Sequence, residues 1–243
     1  MSGHSKWANI KHRKEKSDSQ RAQAFTKVTR EIIVAARQGG GDPENNFRLR
    51  LAVQKAREVN MPNDNIQRAI KRGIGGGEGA NFEEITYEGY GPGGAALLVT
   101  VLTDNRNRSA SEMRYCFSKH GGSLGESGCV SWMFEAKGIL TVDPEENKRS
   151  EEELLSLAME AGAEDLRRDG EAFVVITAPN EFEPVRNHLE MHKVPLVEAE
   201  IAMVPKNTVD VGGREAEQLV RLCEALDENE DVQNVYGNYN LVD

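Results

Sequence analysis

The sequence predicts an α+β protein of three domains: a helical N-terminal bundle followed by two ferredoxin-like α/β domains, the third inserted in the second. Three observations carry this. Apolar residues recur at helical spacing up to residue 73 and at strand spacing beyond it. A glycine-rich stretch, GIGGGEGA at 73–80, separates the two regimes. From Lys137 onward the elements follow the order β-α-β-β-α-β of the split βαβ unit. The length of 243 residues accommodates two or three domains.

Residues 1–20 offer almost nothing to bury except Trp7 and Ile10, which predicts an extended or poorly ordered arm. In the first helix Phe25, Val28, Ile32, Ile33 and Ala36 share a face, and Gly39, Gly40 and Gly41 end it. The second carries Leu49, Ala52, Val53 and Ala56 between Pro43 and Asn60. The third opens at Pro62, carries Ile66, Ala69 and Ile70, and is expected to end at Gly73. Neither a P-loop nor a dinucleotide fingerprint fits 73–80, because no Lys-Ser or Lys-Thr follows and no apolar strand precedes. The stretch is read as a linker, with the first domain at 1–78.

Beyond it, ITYEGYGPGGAALLVTVLTD predicts two strands around a type II turn with Pro92 and Gly93 at its centre. A helix follows with Met113, Cys116 and Phe117 inward, its start suggested by capping-box spacing between Ser109 and Glu112. A strand is expected at 129–134. The third unit comprises a strand at 139–142, a helix capped by Ser150 with Glu153 at box spacing, a hairpin of 164–168 and 172–177 around Asp169 and Gly170, a helix at 181–192 and a strand at 196–204. A last helix with Leu219, Val220, Leu222 and Leu226 and a strand through Val232, Val235 and Tyr239 have no place in that complete unit. The second domain is therefore read as 79–135 and 206–243, with 136–205 inserted.

Hydrophobic residues make up 38% of the chain and charged residues 29%, the composition of a soluble globular protein. No apolar run approaches membrane-spanning length, and the polar, basic N-terminus does not read as a secretory signal. Cys116, Cys129 and Cys223, odd in number and far apart, read as reduced thiols of a cytoplasmic protein.

The net charge is -10, yet its distribution is polar. Residues 1–75 hold 16 Lys+Arg against 7 Asp+Glu, a net of +9, and residues 76–243 hold 14 against 33, a net of -19. Such a head attracts phosphate polyanions, which the body repels; alternatively the head docks on its own acidic neighbour. Lys6, Lys11, His12, Arg13, Lys14, Lys16 and Arg21 are spaced along an arm that can track a phosphate backbone. Trp7 either stacks on an exposed base or anchors the arm on the bundle. The outer faces of the three helices add Lys27, Arg30, Arg48, Arg50, Lys55, Arg57, Lys71 and Arg72, together with Arg37 and Arg68. On the acidic body Asn105, Arg106, Asn107 and Arg108 form a second basic point, or else a solvated loop with capping asparagines.

Catalytic patterns are weak. Cys116 and His120 are four apart, but Cys116 lies on the apolar stripe. Gly125, Glu126, Ser127 and Gly128 lack the spacing of a nucleophile elbow. The histidines and cysteines lack zinc spacing, and His188 and His192, one helical turn apart, form no ligand set by themselves. The chain is read as non-enzymatic, with no metal and no cofactor.

GHSKWANIKHRK at 3–14, GGGDP at 39–43, YEGYGPGG at 87–94 and TDNRNRS at 103–109 resemble the signatures of the YebC family, whose mitochondrial members include the translational activator of cytochrome oxidase. The resemblance runs from Gly3 to about Tyr239, and over the C-terminal third it lies more in pattern than in wording. It implies a helical domain and two α/β domains around a cleft. It also implies regulation of gene expression, either as a DNA-binding transcriptional regulator or as a translation factor that binds ribosomal RNA and relieves stalling at proline-rich stretches. On the second expectation the arm at 6–16 and the neighbouring helices meet the ribosome. An enzyme using the cleft near Arg106, Arg108 and His120 is the remote alternative. Oligomeric state, base sequence and regulated genes lie beyond the sequence.

Overall fold

The computed structural model describes residues 18–75 and 81–242, so the 1–17 arm and the glycines at 76, 77 and 79 fall outside the described residues. The chain divides into two compact units, 16–131 with 214–237, and 132–213 with 238–243.

The first unit begins with three helices, α1 (Asp18–Gly39), α2 (Phe47–Glu58) and α3 (Asn63–Ile74). Ile32, Ile33 and Ala36 of α1 bury against Leu49, Ala52, Val53 and Ala56 of α2 and Ile66, Ala69 and Ile70 of α3, the stripes expected from spacing. Asn46 caps α2 by accepting from the Leu49 N–H, while its amide donates to the carbonyls of Ala35 and Gly40, so one buried side chain closes the α1–α2 turn. Gly73 does not end α3 as expected; it lies inside the helix, where an added Cβ would stand 2.6 Å from the Ile33 carbonyl oxygen and 2.7 Å from the Ala36 Cβ. The glycine is there for close approach to α1. Gly73→Ala is expected to lower stability by about 1–3 kcal/mol, read as a shift in the denaturation midpoint.

After 76–80, Phe82 packs back onto the helical core. β1 (Glu83–Tyr90) and β2 (Ala96–Thr103) pair antiparallel from Glu83↔Thr103 to Tyr90↔Ala96. Gly93 between them takes φ 70°, ψ 12°, the conformation that the type II turn demands of its third residue. α4 (Arg106–Lys119) and the short β3 (Ser123–Leu124) follow, then α7 (Gly213–Asp227) and β9 (Val232–Gly237), after the intervening elements of the second unit. The sheet order is β3-β1-β2-β9, antiparallel throughout. Residues 214–237 thus return to the sheet begun by β1 and β2.

The strand expected at 129–134 does not form; a 3-10 turn occupies Ser131–Met133. The reason is Glu88. Its buried carboxylate accepts the backbone N–H groups of Gly128 (2.7 Å), Val130 (2.8 Å) and Ser131 (2.7 Å), removing the donors that a ladder needs. Burial opposes ionisation of Glu88, but these three bonds outweigh it and hold the carboxyl below its ordinary value.

The second unit contains β4 (Phe134–Val142), α5 (Glu151–Glu160), β5 (Asp165–Asp169), β6 (Ala172–Thr177), α6 (Phe182–Met191) and β7 (Leu196–Pro205) in the order β5-β6-β4-β7, the antiparallel sheet of the split βαβ unit. Ser150 and Glu153 form the capping box read from their spacing. The single strand expected through Val232 and Tyr239 breaks at the buried Asn238, whose carbonyl accepts from Val209 N. β9 completes the first sheet, whereas β10 (Tyr239–Val242) pairs in parallel with β8 (Val209–Gly212), a strand the sequence did not announce. β8 and β10 count with the second unit, which differs from the expected grouping of all of 206–243 with the second domain.

Candidate nucleic-acid interface

The cations predicted from sequence divide sharply. Lys6, Lys11, His12, Arg13, Lys14 and Lys16, with Trp7, lie outside the described residues, as does the side chain of Arg21. Lys27 donates to the Asp227 carbonyl and carboxylate. Arg48 bonds Glu31 (2.7 Å) and Glu84 (2.9 Å), and these bonds override burial to raise its proton affinity. Arg50 donates to the carbonyls of Pro43 and Glu44. Arg68 donates to the Asp64 carbonyl and the Asn65 side chain. Each of these groups commits donors within the chain, and for Lys27 and Arg48 the partners are carboxylates, which leaves less charge for a phosphate. Lys55 is half-buried on α2.

Arg30 goes furthest inward. Its side chain is 14% exposed and reaches Asp231, itself 5% exposed, at 2.5 Å. The same carboxylate accepts from Arg108 (3.0 Å), Ser109 (2.8 Å) and Thr103 (2.9 Å). Burial pushes Asp231 up, but the bonds from Arg108, Ser109, Thr103 and Arg30 prevail and hold it below the usual carboxylate range. Two arginines taken from sequence as phosphate contacts, one in the helical head and one at the start of α4, therefore share one buried anion. The Thr103 hydroxyl also accepts from Asn105 N, and Asn105 caps α4 by accepting from Arg108 N. The cap sits at Asn105, as the alternative of capping asparagines has it, and not at Ser109, whose side chain is buried on Asp231. In TDNRNRS, then, Thr103, Asn105, Arg108 and Ser109 build the β2–α4 junction, while Arg106 and Asn107 face solvent.

Arg57 near the end of α2 and Lys71 and Arg72 in the last turn of α3 are exposed. Arg37, at the C-terminal end of α1, is exposed and donates to the Asn81 side chain. Arg37 and Arg72 line one cleft of about 440 Å³, with Gly40, Gly73 and Asn81. There two guanidinium groups share one open surface.

Burial pushes the Cys116 thiol up, and burial together with the Glu88 charge does the same for Cys129, the reverse of what a nucleophilic thiolate needs. His188 and His192 lie with ring centres 4.4 Å apart and their planes tilted by 41°, and among the described residues no group of three or more His, Cys, Asp or Glu is placed to hold a metal ion. No helix among the described residues is long and apolar enough to cross a membrane.

Fold and site together define an α+β protein with a cationic helical head and an acidic body. Its kinship agrees. Family models described as the TACO1/YebC protein N-terminal domain and the TACO1/YebC second and third domain match residues 5–76 and 82–239. The chain belongs to the TACO1/YebC family. It is 57% identical to a probable transcriptional regulatory protein of Desulfitobacterium hafniense, over 100% of this chain and 97% of the relative. A protein of the same description from Pelotomaculum thermopropionicum is 54% identical over 100% of both chains. The crystal structure of the conserved hypothetical protein Aq1575 from Aquifex aeolicus superimposes with a TM-score of 0.86 at 48% identity, covering 94% of this chain and 93% of that one.

Proposed function

We propose that this chain is a non-enzymatic, nucleic-acid-binding regulator of gene expression acting in the cytoplasm. Within that class we propose a translation factor that binds ribosomal RNA through the 6–21 arm and the exposed head cations and relieves ribosome stalling. One observation carries the reading: a chain of net charge -10 concentrates a surplus of +9 in residues 1–75. A surface of that sign has use for a polyanion, and the acidic body orients the encounter by repulsion. Internal pairing of Lys27, Arg30 and Arg48 narrows the interface to the arm, Arg57, Lys71, Arg72 and the Arg37–Arg72 cleft.

The second reading is a DNA-binding transcriptional regulator, which the description of the relatives favours. Crosslinking of the protein to nucleic acid in living cells, followed by sequencing, separates the two. The expected result is reads concentrated on ribosomal RNA together with co-sedimentation with ribosomes. Reads concentrated on promoter DNA would replace the translation reading with the transcriptional one.

A further inference from the structure

The acidic body carries one cationic helix, α4, most of which lies beyond the TDNRNRS signature at 103–109. Within residues 76–243, α4 holds 4 of the 14 basic residues and 1 of the 33 acidic ones. Its buried stripe is Ser109, Met113 and Phe117. At 100° per residue, the face opposite that stripe presents Asn107, Ser111, Arg114, Tyr115, Ser118 and Lys119, all exposed and none of them a carboxylate. The helix's single acid, Glu112, is held toward Asn229, from which it accepts at 2.8 Å. Arg108 is committed to Asp231, so the charge this face offers comes from Arg114 and Lys119.

Tyr115 stands in the middle of this face and is 64% exposed, a large aromatic ring in water on a charged helix. The Lys119 ammonium lies 5.4 Å from its ring centre. A solvent-facing aromatic flanked by cations is the arrangement with which proteins hold single-stranded nucleic acid: the ring offers a stacking platform to any base, and the cations meet the phosphates on either side. Arg114 and Lys119 flank Tyr115 at one residue and at four, so a strand following the helix passes cation, ring and cation in turn. Arg106, exposed in the first turn of α4, adds to the positive charge of the helix.

We propose that the solvent face of α4 is a second nucleic-acid contact, which takes a single-stranded segment by stacking a base on Tyr115 and pairing its phosphates with Arg114 and Lys119. This rests on the reading of the chain as a nucleic-acid-binding protein and assigns it a contact outside the arm and the helical head. Arg30 and Arg108, joined through Asp231, place α4 and the head helices in one compact unit.

The test measures binding of a fluorescein-labelled oligouridylate to the full chain by anisotropy across a salt series, for wild type, Tyr115→Ala, Tyr115→Phe, Arg114→Gln with Lys119→Gln, and an arm variant in which Lys11, Arg13, Lys14 and Lys16 are changed to Glu. Tyr115→Ala is expected to weaken binding about five-fold or more, the loss that follows from one stacked base. Tyr115→Phe restores it, because the ring and not the hydroxyl stacks. The double Gln variant is expected to flatten the log-affinity against log-salt slope by about 1.4. Tyr115, Arg114 and Lys119 are exposed, so thermal unfolding of their variants stays at the wild-type value as the control for folding. Wild-type affinity in Tyr115→Ala and in the double Gln variant, alongside lost binding in the arm variant, would overturn the α4 contact while leaving the arm standing; the face would then fall to a protein partner. Weakened binding in the α4 variants with an unaffected arm variant would support α4 and remove the arm instead. Failure of the wild-type chain to bind the oligouridylate would overturn the α4 proposal outright.

Discussion

Asp231→Ala lowers the stability of the first unit by on the order of 3–5 kcal/mol, the range for removing one partner of a buried ion pair. The loss arises from what is left behind. Arg30, 14% exposed, keeps a buried guanidinium with no counter-charge beyond Glu230, whose carboxylate is 3.8 Å away. Arg108, 44% exposed, turns to water at small cost, which places the expectation at the lower end of the range. Ser109 and Thr103 lose their acceptor in a buried setting. Chemical denaturation measures the change, and a loss below about 1 kcal/mol would show that the cluster does not hold α1 to the β2–α4 junction. Combining Asp231→Ala with Arg30→Met gives a smaller loss than the sum of the two, because the stranded charge goes with the side chain.

The same carboxylate sets a pH dependence. Its proton affinity is depressed in the folded state from an ordinary value of 3.8, so its stabilisation is present above that value and disappears as pH falls through the lower, folded one. Wild type and Asp231→Asn therefore differ most near neutral pH and converge in acid. A difference independent of pH between about pH 6 and about pH 3 would mean that Asp231 does not act through its charge.

The second large effect concerns binding. Changing Lys11, Arg13, Lys14 and Lys16 to Glu abolishes nucleic-acid binding at physiological salt and leaves thermal unfolding unchanged, since residues 1–20 offer little apolar surface besides Trp7 and Ile10. Each phosphate neutralised contributes roughly 0.7 to the salt slope on a single strand, so removing four contacts flattens it by about 3. Affinity preserved in this variant would move the interface to Arg57, Lys71 and the Arg37–Arg72 cleft. A lower unfolding temperature would instead give the arm a place in the core.

Much of the fold was legible because periodicity is local. The stripes of α1 to α3, the Pro92–Gly93 turn, the Ser150 capping box and the β4-to-β7 unit follow from residue spacing and from side chains acting within a turn or two of themselves. The misses share a cause. The strand expected at 129–134 is displaced by Glu88, some 40 residues earlier, whose carboxylate takes its donors. The cap that box spacing suggested at Ser109 sits at Asn105, and Asp231, 122 residues away, claims the serine. Gly73 looked like a helix end and is a contact with α1.

The candidate interface divides along the same line. Charge polarity, +9 on residues 1–75 against -19 beyond, is a property of the sequence by itself, as are the likeness to the family and the placement of most helices and strands. Which cations remain available was decided by tertiary structure alone. Lys27, Arg30, Arg48 and Arg108 look like Arg57, Lys71 and Arg72 in a charge count, yet the first four meet carboxylates from distant segments and the others face water. The physical reason is that Coulomb pairing is set by distances of a few ångströms, and a sequence does not contain those distances until its apolar stripes have been packed.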